Sequence, residues 1–231
     1  MSLISMIIYF VILMVIPMWA QHKVKSNYEK YSQVRSTSGK TGREVAEEIL
    51  HANGIYDVDV VKGEGFLTDH YDPNKKVVCL SPANFDRPSV AGTAIAAHEV
   101  GHAIQHQQGY AFLRFRTALV PLANIGSSLS YIIIMAGIFL TALGSAFGST
   151  ALWIGAGLMS LAVLFSIVTL PVEFNASSRA MKQITALNIV NEKEYKHAKK
   201  VLSAAAMTYV ASTAVALAEL ARIILLARSS E

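Results

Sequence analysis

The sequence predicts a mainly α-helical membrane protein with about four transmembrane helices and a small water-facing α+β region. The chain is 53% hydrophobic and 16% charged, against roughly 45–50% and about 25% in an ordinary soluble domain. Residues 117–172 are 56 consecutive positions without Asp, Glu, Lys or Arg. Outside this run the charged residues are dense, which indicates membrane spans joined to a water-facing region rather than a uniformly apolar domain.

The first predicted span is the uncharged segment 3–20, which is long enough to cross a bilayer at about 1.5 Å per residue. A cleaved signal peptide is the alternative. No basic residue precedes the segment, and the first cations, Lys23 and Lys25, follow it. Met18 would stand three positions before a break after Ala20, where a small residue is expected. The sequence therefore favours an uncleaved anchor.

The long uncharged run exceeds one helix and fits two spans, 119–143 and 151–170, joined by a turn that contains glycine and serine. A fourth candidate span covers 201–227. It carries Glu219 and Arg222, which are three residues apart and can neutralise each other on one helix face. An amphipathic helix on the membrane surface is the alternative for this alanine-rich segment, and the sequence favours a span.

The distribution of cations predicts the orientation. Twelve Lys and Arg residues lie in 23–116 and six in 179–200, whereas the turn at 144–150 has none. By the positive-inside rule, regions 21–118 and 171–200 are expected in the cytoplasm, with the N-terminus outside. The basic residues flank apolar segments, so the net charge of +4 indicates a lipid bilayer as partner and not a nucleic acid.

Region 21–118 is predicted to contain a helix, a small sheet and a second helix. Thr41 and Glu44 have the capping-box pattern, and apolar residues continue at helical spacing over 41–53. Three β-favouring runs separated by turn residues follow, and they are expected to form an antiparallel three-stranded meander. The runs are Val58 to Val61, Phe66 to Tyr71 and Val77 to Ser81.

The second helix, expected from residue 87 or 88 to about 108, contains His98-Glu-Val-Gly-His102, a match to the H-E-x-x-H pattern. Side chains four residues apart on an α-helix differ by about 40° around the axis and about 6 Å along it, so both imidazoles can reach one ion. Neutral imidazole suits zinc, and Glu99 can take a proton from a water at the metal. Small and apolar residues before His98 favour a buried metal site over an ordinary core histidine.

A catalytic zinc site needs a third protein ligand. His106 lies eight residues after His98, about 80° around and about 12 Å along a straight helix, which is too far to share the ion. Gln105 and Gln108 stand where the longer H-E-x-x-H-x-x-G-x-x-H pattern requires a glycine and a third histidine. His106 is therefore interpreted as an ordinary helix-face residue or a support for the ligands.

Glu173 is the better candidate for the third ligand. It is the first charged residue after the uncharged run, and two crossings return the chain to the side it left, so topology places Glu173 on the side of the two histidines. A carboxylate that only marks the water interface is the alternative. The residues that follow favour a ligand, because a continuing helix brings Asn175, Ser177 or Arg179 close enough to support it.

Four segments carry a family resemblance that covers most of the chain. They are Asp69-His-Tyr-Asp-Pro73, Leu80-Ser81, His98-Glu-Val-Gly-His-Ala-Ile-Gln105 and Leu170-Pro-Val-Glu-Phe174. Together with the spans they resemble the YugP-type membrane zinc metallopeptidases, and more distantly the membrane zinc proteases related to the heat-shock quality-control protease and the prenyl-protein protease. The resemblance implies a gluzincin-like catalytic region facing the cytoplasm. It also implies one zinc ion per chain, held by His98, His102 and Glu173, with Glu99 as general base.

One position departs from the wider superfamily, which follows its carboxylate ligand with E-x-x-A-D. Here Glu173-Phe-Asn-Ala176 is followed by Ser177. The carboxylate expected to support a zinc-bound histidine is therefore missing at this position. Asn175 or another residue is expected to take its place.

The sequence thus predicts an integral-membrane zinc endopeptidase that cleaves a protein or peptide substrate with metal-activated water, and leaves the oligomeric state open. The run Val77–Ser81 is a candidate edge strand for substrate backbone, and Arg179 is a candidate cation for the oxyanion. An intramembrane-cleaving protease is one alternative, disfavoured because only about ten uncharged residues precede His98 and polar residues follow it. A membrane scaffold or regulator with a structural or degenerate zinc site is the other, and Ser177 is the one feature in its favour.

Overall fold

In the computed structural model, residues 3–230 are described, except for the side chains at positions 3 and 5. These residues form seven helices and a sheet of three strands, which confirms the predicted mainly helical class. The elements are α1 (Leu3–Ser32), α2 (Gly42–Ala52), β1 (Asp59–Lys62), β2 (His70–Asp72), β3 (Val77–Leu80), α3 (Pro82–Asp86), α4 (Val90–Gln107), α5 (Ala111–Ala142), α6 (Phe147–Ala186) and α7 (Glu192–Ser229).

Four helices, α1, α5, α6 and α7, are long and apolar enough to cross a membrane. The segment predicted as a fourth span lies inside α7. The chain divides into two compact units. The first unit comprises the described parts of residues 1–17, 114–171 and 209–231, and the second unit comprises residues 18–113 and 172–208. The helices α1, α5, α6 and α7 each contribute residues to both units.

The first unit exposes large apolar side chains along its helices, including Met14 at 65% and Phe139 at 64% exposure, as expected for helices that contact lipid. The predicted charged pair is present in this unit: Arg222 Nη2 lies 2.8 Å from Glu219 Oε2. The Tyr9 hydroxyl donates to the other carboxylate oxygen at 3.1 Å. This mutual neutralisation lowers the cost of placing two charges in an apolar segment.

The turn between α5 and α6 is shorter than predicted, because α5 ends at Ala142 and α6 already begins at Phe147. Gly144 has φ +74°, a left-handed conformation that glycine adopts without a steric cost. At its other end α6 continues through Pro171. The third predicted span and the segment that contains Glu173 are therefore one continuous helix.

The second unit has a hydrophobic core built from α2, β3, α4, the last turns of α6 and the start of α7. Ile49, Leu80 and Ile104 are each no more than 1% exposed in this core. The predicted capping box of the first helix is confirmed: the side chain of Thr41 accepts from the backbone N–H of Glu44, and the Glu44 carboxylate accepts from the backbone of Thr41.

The helix that carries the H-E-x-x-H motif begins at Val90, not at residue 87 or 88. Arg87 is extended, with φ −111° and ψ 136°. The reason is that the ring of Pro88 makes the helical conformation unfavourable for the residue before it. Ser89 is the N-cap, and its hydroxyl accepts from the backbone N–H of Gly92 at 3.0 Å. The short helix α3 just before it was not predicted.

The sheet corrects the predicted antiparallel meander. The strand order is β1-β3-β2, with β1 parallel to β3 and β2 antiparallel to it. Val78 and Leu80 of β3 are fully buried, whereas β1 and β2 carry polar and partly exposed residues, so the most apolar strand takes the central place. The proposal that Val77–Ser81 is an edge strand for substrate is therefore wrong, because both edges of β3 are already paired.

The helices α4 and α6 approach each other closely within the second unit. A methyl group at Gly101 of α4 would lie 2.6 Å from the backbone carbonyl oxygen of Ala176 in α6. A real carbon atom does not come so close to a carbonyl oxygen. The contact therefore requires glycine at this helical position, although glycine is otherwise a weak helix former.

We expect Gly101→Ala to lower the free energy of unfolding of the full chain by about 1–3 kcal/mol, because the added methyl forces α4 and α6 apart. Thermal unfolding in detergent, followed by circular dichroism, measures the effect. Gly157→Ala is the matched control, because a methyl group there meets no atom within 4 Å. Equal melting temperatures for the two variants would contradict the close packing.

Candidate metal centre

Two helices of the second unit bring three potential metal ligands together. His98 and His102 lie on α4 and Glu173 on α6. The two Nε2 atoms are 3.3 and 3.6 Å from Oε2 of Glu173, and the three ligand atoms lie within 4.8 Å of one another. The imidazole rings meet edge to face, with centroids 4.8 Å apart. Glu173 is 3% exposed and His102 9% exposed, so the ligand atoms converge in a largely buried place.

This donor set fits a zinc ion. Tetrahedral zinc has ligand bonds of about 2.0–2.2 Å, so neighbouring ligand atoms stand about 3.3–3.6 Å apart. The two separations between imidazole nitrogen and carboxylate oxygen are 3.3 and 3.6 Å. Two histidines and one glutamate leave the fourth position open, which is the arrangement of catalytic rather than structural zinc sites.

The side chain of Gln105 fixes the orientation of His102. Gln105 is fully buried, and its Nε2 donates to the carbonyl oxygen of Val172 at 2.8 Å and to Oδ1 of Asn175 at 2.9 Å. Its Oε1 must therefore accept, and it lies 3.0 Å from Nδ1 of His102. A neutral His102 ring would therefore carry its proton on Nδ1, which leaves Nε2 available to a metal ion.

Ser177 has the same relation to His98. Its hydroxyl lies 3.1 Å from Nδ1 of His98, on the side of the ring opposite the Nε2 atom that faces Glu173. The position where the wider superfamily has an aspartate therefore still contacts a proposed ligand, through a hydroxyl in place of a carboxylate. Asn175, which the sequence offered as a replacement, supports Gln105 instead.

Glu99 follows His98 on α4 and is 8% exposed. Burial raises the pKa of this carboxyl above its ordinary value, although the nearby His98 and His102 oppose the rise. A carboxyl with a raised pKa holds a proton more readily than an ordinary surface carboxylate. The environment of Glu99 therefore suits a general base.

Arg179 lies beside the support of His102. Its Nε donates to Oδ1 of Asn175 at 2.6 Å, its Nη1 donates to Oε1 of Gln108 at 2.6 Å, and its guanidinium lies over the ring of Tyr110. These contacts place the cation on the Gln105 and Asn175 side of the centre. These hydrogen bonds support a positioning role for Arg179, and its predicted role with the oxyanion stays a hypothesis.

His106 lies outside the group of converging ligands, as the helix geometry predicts. Its Nδ1 is 2.8 Å from the hydroxyl of Tyr71, a residue of β2. Burial and the carboxylates of Asp57 and Asp72 raise the pKa of Tyr71 to about 12. This contact ties the end of α4 to the sheet, and no spacing in the sequence indicated it.

Comparison with known proteins agrees with this centre. A family model described as "Putative neutral zinc metallopeptidase" matches residues 6–228. A Bacillus subtilis protein named "Putative membrane protease YugP" is 46% identical over 208 residues, which cover 90% of each chain. No solved structure matches the chain. The resemblance inferred from the four sequence segments is therefore confirmed, and the chain belongs to the family described as "Putative neutral zinc metallopeptidase".

Proposed function

We propose that this protein is a zinc-dependent endopeptidase of the membrane, with His98, His102 and Glu173 as the ligands of one zinc ion and Glu99 as general base. The convergence of two imidazole nitrogens and one buried carboxylate on helices α4 and α6 carries the proposal. The family membership and the name of the Bacillus relative support it.

Bound zinc would lower the pKa of a water molecule and polarise the scissile carbonyl group. Ser177 and Gln105 hold the rings of His98 and His102 with their Nε2 atoms towards Glu173. Glu99 takes a proton from the water while the water oxygen attacks the carbonyl carbon. Glu99 then gives that proton to the amide nitrogen as the C–N bond breaks. The products are a carboxylic acid and an amine.

The proposed site faces the cytoplasm, with the N-terminus outside. The support for this orientation is the excess of Lys and Arg in 23–116 and 179–200. The proposed substrates are membrane proteins or proteins held at the membrane, because a chain with four candidate spans is itself confined to the bilayer. A cysteine introduced at exposed Glu64 tests the orientation. If this region faces the cytoplasm, the cysteine is labelled selectively in opened cells and not in intact cells.

We expect Glu99→Gln to bind zinc as the wild type does and to cleave casein at least about 100-fold more slowly, because the proton acceptor is lost. Zinc per chain and casein cleavage by the full-length protein in detergent are measured together. Glu64→Gln, an exposed glutamate of the same unit, is the control and is expected to keep wild-type activity.

Equal cleavage rates for zinc-loaded wild type and Glu99→Gln would rule out the general-base role. Zinc bound by a wild type that cleaves neither casein nor a panel of membrane proteins would favour the alternative of a scaffold with a structural zinc site.

We expect His98→Ala, His102→Ala and Glu173→Ala each to abolish stoichiometric zinc binding, because two remaining ligands hold zinc weakly. Zinc content after dialysis against a weak chelator measures this. His106→Ala is the matched control, because His106 lies one turn beyond His102 on the same helix and is outside the ligand group. Full zinc occupancy in Glu173→Ala would show that Glu173 is not a ligand.

We expect Gln105→Leu to weaken zinc affinity by about 10–100-fold, because Nδ1 of His102 loses its acceptor inside the protein. Competition with a chromophoric chelator gives the affinity. Gln107→Leu is the control, since Gln107 is an exposed residue of the same helix. If the two leucine variants bind zinc equally well, Gln105 does not orient the ligand.

A further inference from the structure

A pocket of about 630 Å³ in the second unit is lined by four lysines, together with Asn27, Ser203, Ala204 and Met207. The four lysines are Lys23 of α1 and Lys196, Lys199 and Lys200 of α7. We call it the lysine pocket. All four side chains belong to exposed residues, so their ammonium groups can meet a ligand that arrives from outside.

The lysines of this pocket lack the carboxylate partners that other lysines of the same unit have. Within residues 3–230, no ion pair joins Lys23, Lys196, Lys199 or Lys200 to a carboxylate. Five other lysines of the second unit do form such pairs, namely Lys25, Lys40, Lys62, Lys75 and Lys76. The lysine pocket therefore concentrates positive charge that its own side chains do not neutralise.

Lys200 of the lysine pocket, together with two lysines outside it, also affects His197. Burial lowers the pKa of His197, and the positive charges of Lys193, Lys200 and Lys30 lower it further. The ring stacks on Tyr31 with centroids 4.6 Å apart. An anion in the lysine pocket would relieve this electrostatic repulsion.

An apolar groove of about 950 Å³ adjoins the lysine pocket and shares Lys199, Ser203 and Met207 with it. Its walls come from α6 and α7 and include Phe174 and Leu202. Phe174 is 48% exposed and Met207 38% exposed, so large apolar side chains face open space here. A cationic pocket and an apolar groove thus form one continuous surface.

The groove is not the catalytic cleft. Ser177 lines it, and the Ser177 hydroxyl contacts Nδ1 of His98, whereas Nε2 of His98 faces Glu173. None of the four proposed site residues, His98, Glu99, His102 and Glu173, lines the groove. Peptide hydrolysis as proposed above makes no use of it.

We propose that the lysine pocket and the apolar groove together bind an anionic phospholipid, with the phosphate among the four lysines and an acyl chain along the groove. Ammonium groups donate hydrogen bonds to phosphate oxygens. Each basic residue near a lipid surface also adds electrostatic attraction to an anionic headgroup. Trp19 supports a lipid as the ligand. It is 47% exposed, Lys23 Nζ lies 4.5 Å from its ring centroid, and tryptophan beside a basic residue is typical of a membrane interface.

The walls of the groove favour a lipid over an acidic peptide. Both walls are α-helices, and the backbone groups inside a helix already bond to each other. An extended peptide would find no backbone partners there for its own N–H and C=O groups, whereas an acyl chain needs none. A free phosphate ion would fill the lysine pocket alone and would leave the apolar groove exposed.

The test is a titration of the full-length protein in detergent with dioleoylphosphatidylglycerol and with dioleoylphosphatidylcholine, followed by native mass spectrometry. The two lipids have the same acyl chains and differ in net charge. We expect the wild type to bind the anionic lipid at least about tenfold more tightly. We expect K196Q/K199Q/K200Q to lose that preference.

The triple variant K62Q/K75Q/K76Q is the matched control, because it removes the same charge from lysines that have carboxylate partners. It is expected to bind the anionic lipid as the wild type does. Ser203→Trp places a large ring at an exposed position that lines both cavities, and it is expected to weaken binding of the anionic lipid.

Three results would overturn the proposal. One is equal affinity of the wild type for the two lipids. The second is wild-type affinity for the anionic lipid in K196Q/K199Q/K200Q. The third is displacement of the bound lipid by inorganic phosphate or hexaglutamate at concentrations no higher than that of the lipid, which would assign the pocket to a free anion or an acidic peptide.

Discussion

The hydrogen bonds of Gln105 hold the candidate metal centre together. This one side chain, fully buried, joins α4 to α6 across 67 residues of sequence by its bond to the carbonyl oxygen of Val172. The same amide group contacts His102 and Asn175. Because a buried amide costs free energy for each hydrogen bond it fails to make, the two helices and the three candidate ligands they carry are held in one arrangement.

The candidate ligands could be predicted because their signal is local or topological. His98 and His102 are one helical turn apart, and Glu173 ends a run without charges, so the sequence alone places each of them. For the supports, the sequence offered Asn175, Ser177 and Arg179 but did not indicate which histidine each would contact, and it did not indicate Gln105. Ser177 contacts His98 across 79 residues, and no periodicity within one helix specifies a contact between two helices.

The sheet shows a second limit of sequence reasoning. The three β-favouring runs were found, but their order along the chain suggested a meander, whereas β3 lies between β1 and β2. The deciding quantity is burial: Val78 and Leu80 are fully buried in the centre. Comparing the apolar content of the three runs could have placed β3 in the middle, because the most apolar strand gains most from being covered on both edges.

The supports of the two histidines are neutral groups, a hydroxyl and an amide. The centre already contains two buried carboxylates, Glu99 and Glu173. A third carboxylate at Ser177 would add a like charge in a region of low dielectric constant, where desolvation is costly. A neutral support orients the ring without that cost, and in exchange it makes the imidazole a weaker electron donor than a carboxylate partner would.

Gly101 occupies a position that the H-E-x-x-H pattern leaves free. Its backbone lies so close to Ala176 that even a methyl group meets a carbonyl oxygen. For this architecture the second variable position of the pattern is therefore restricted as well, for a steric reason instead of a chemical one. A search pattern written H-E-x-G-H would select chains in which a helix bearing the carboxylate ligand can pack directly against the helix bearing the two histidines.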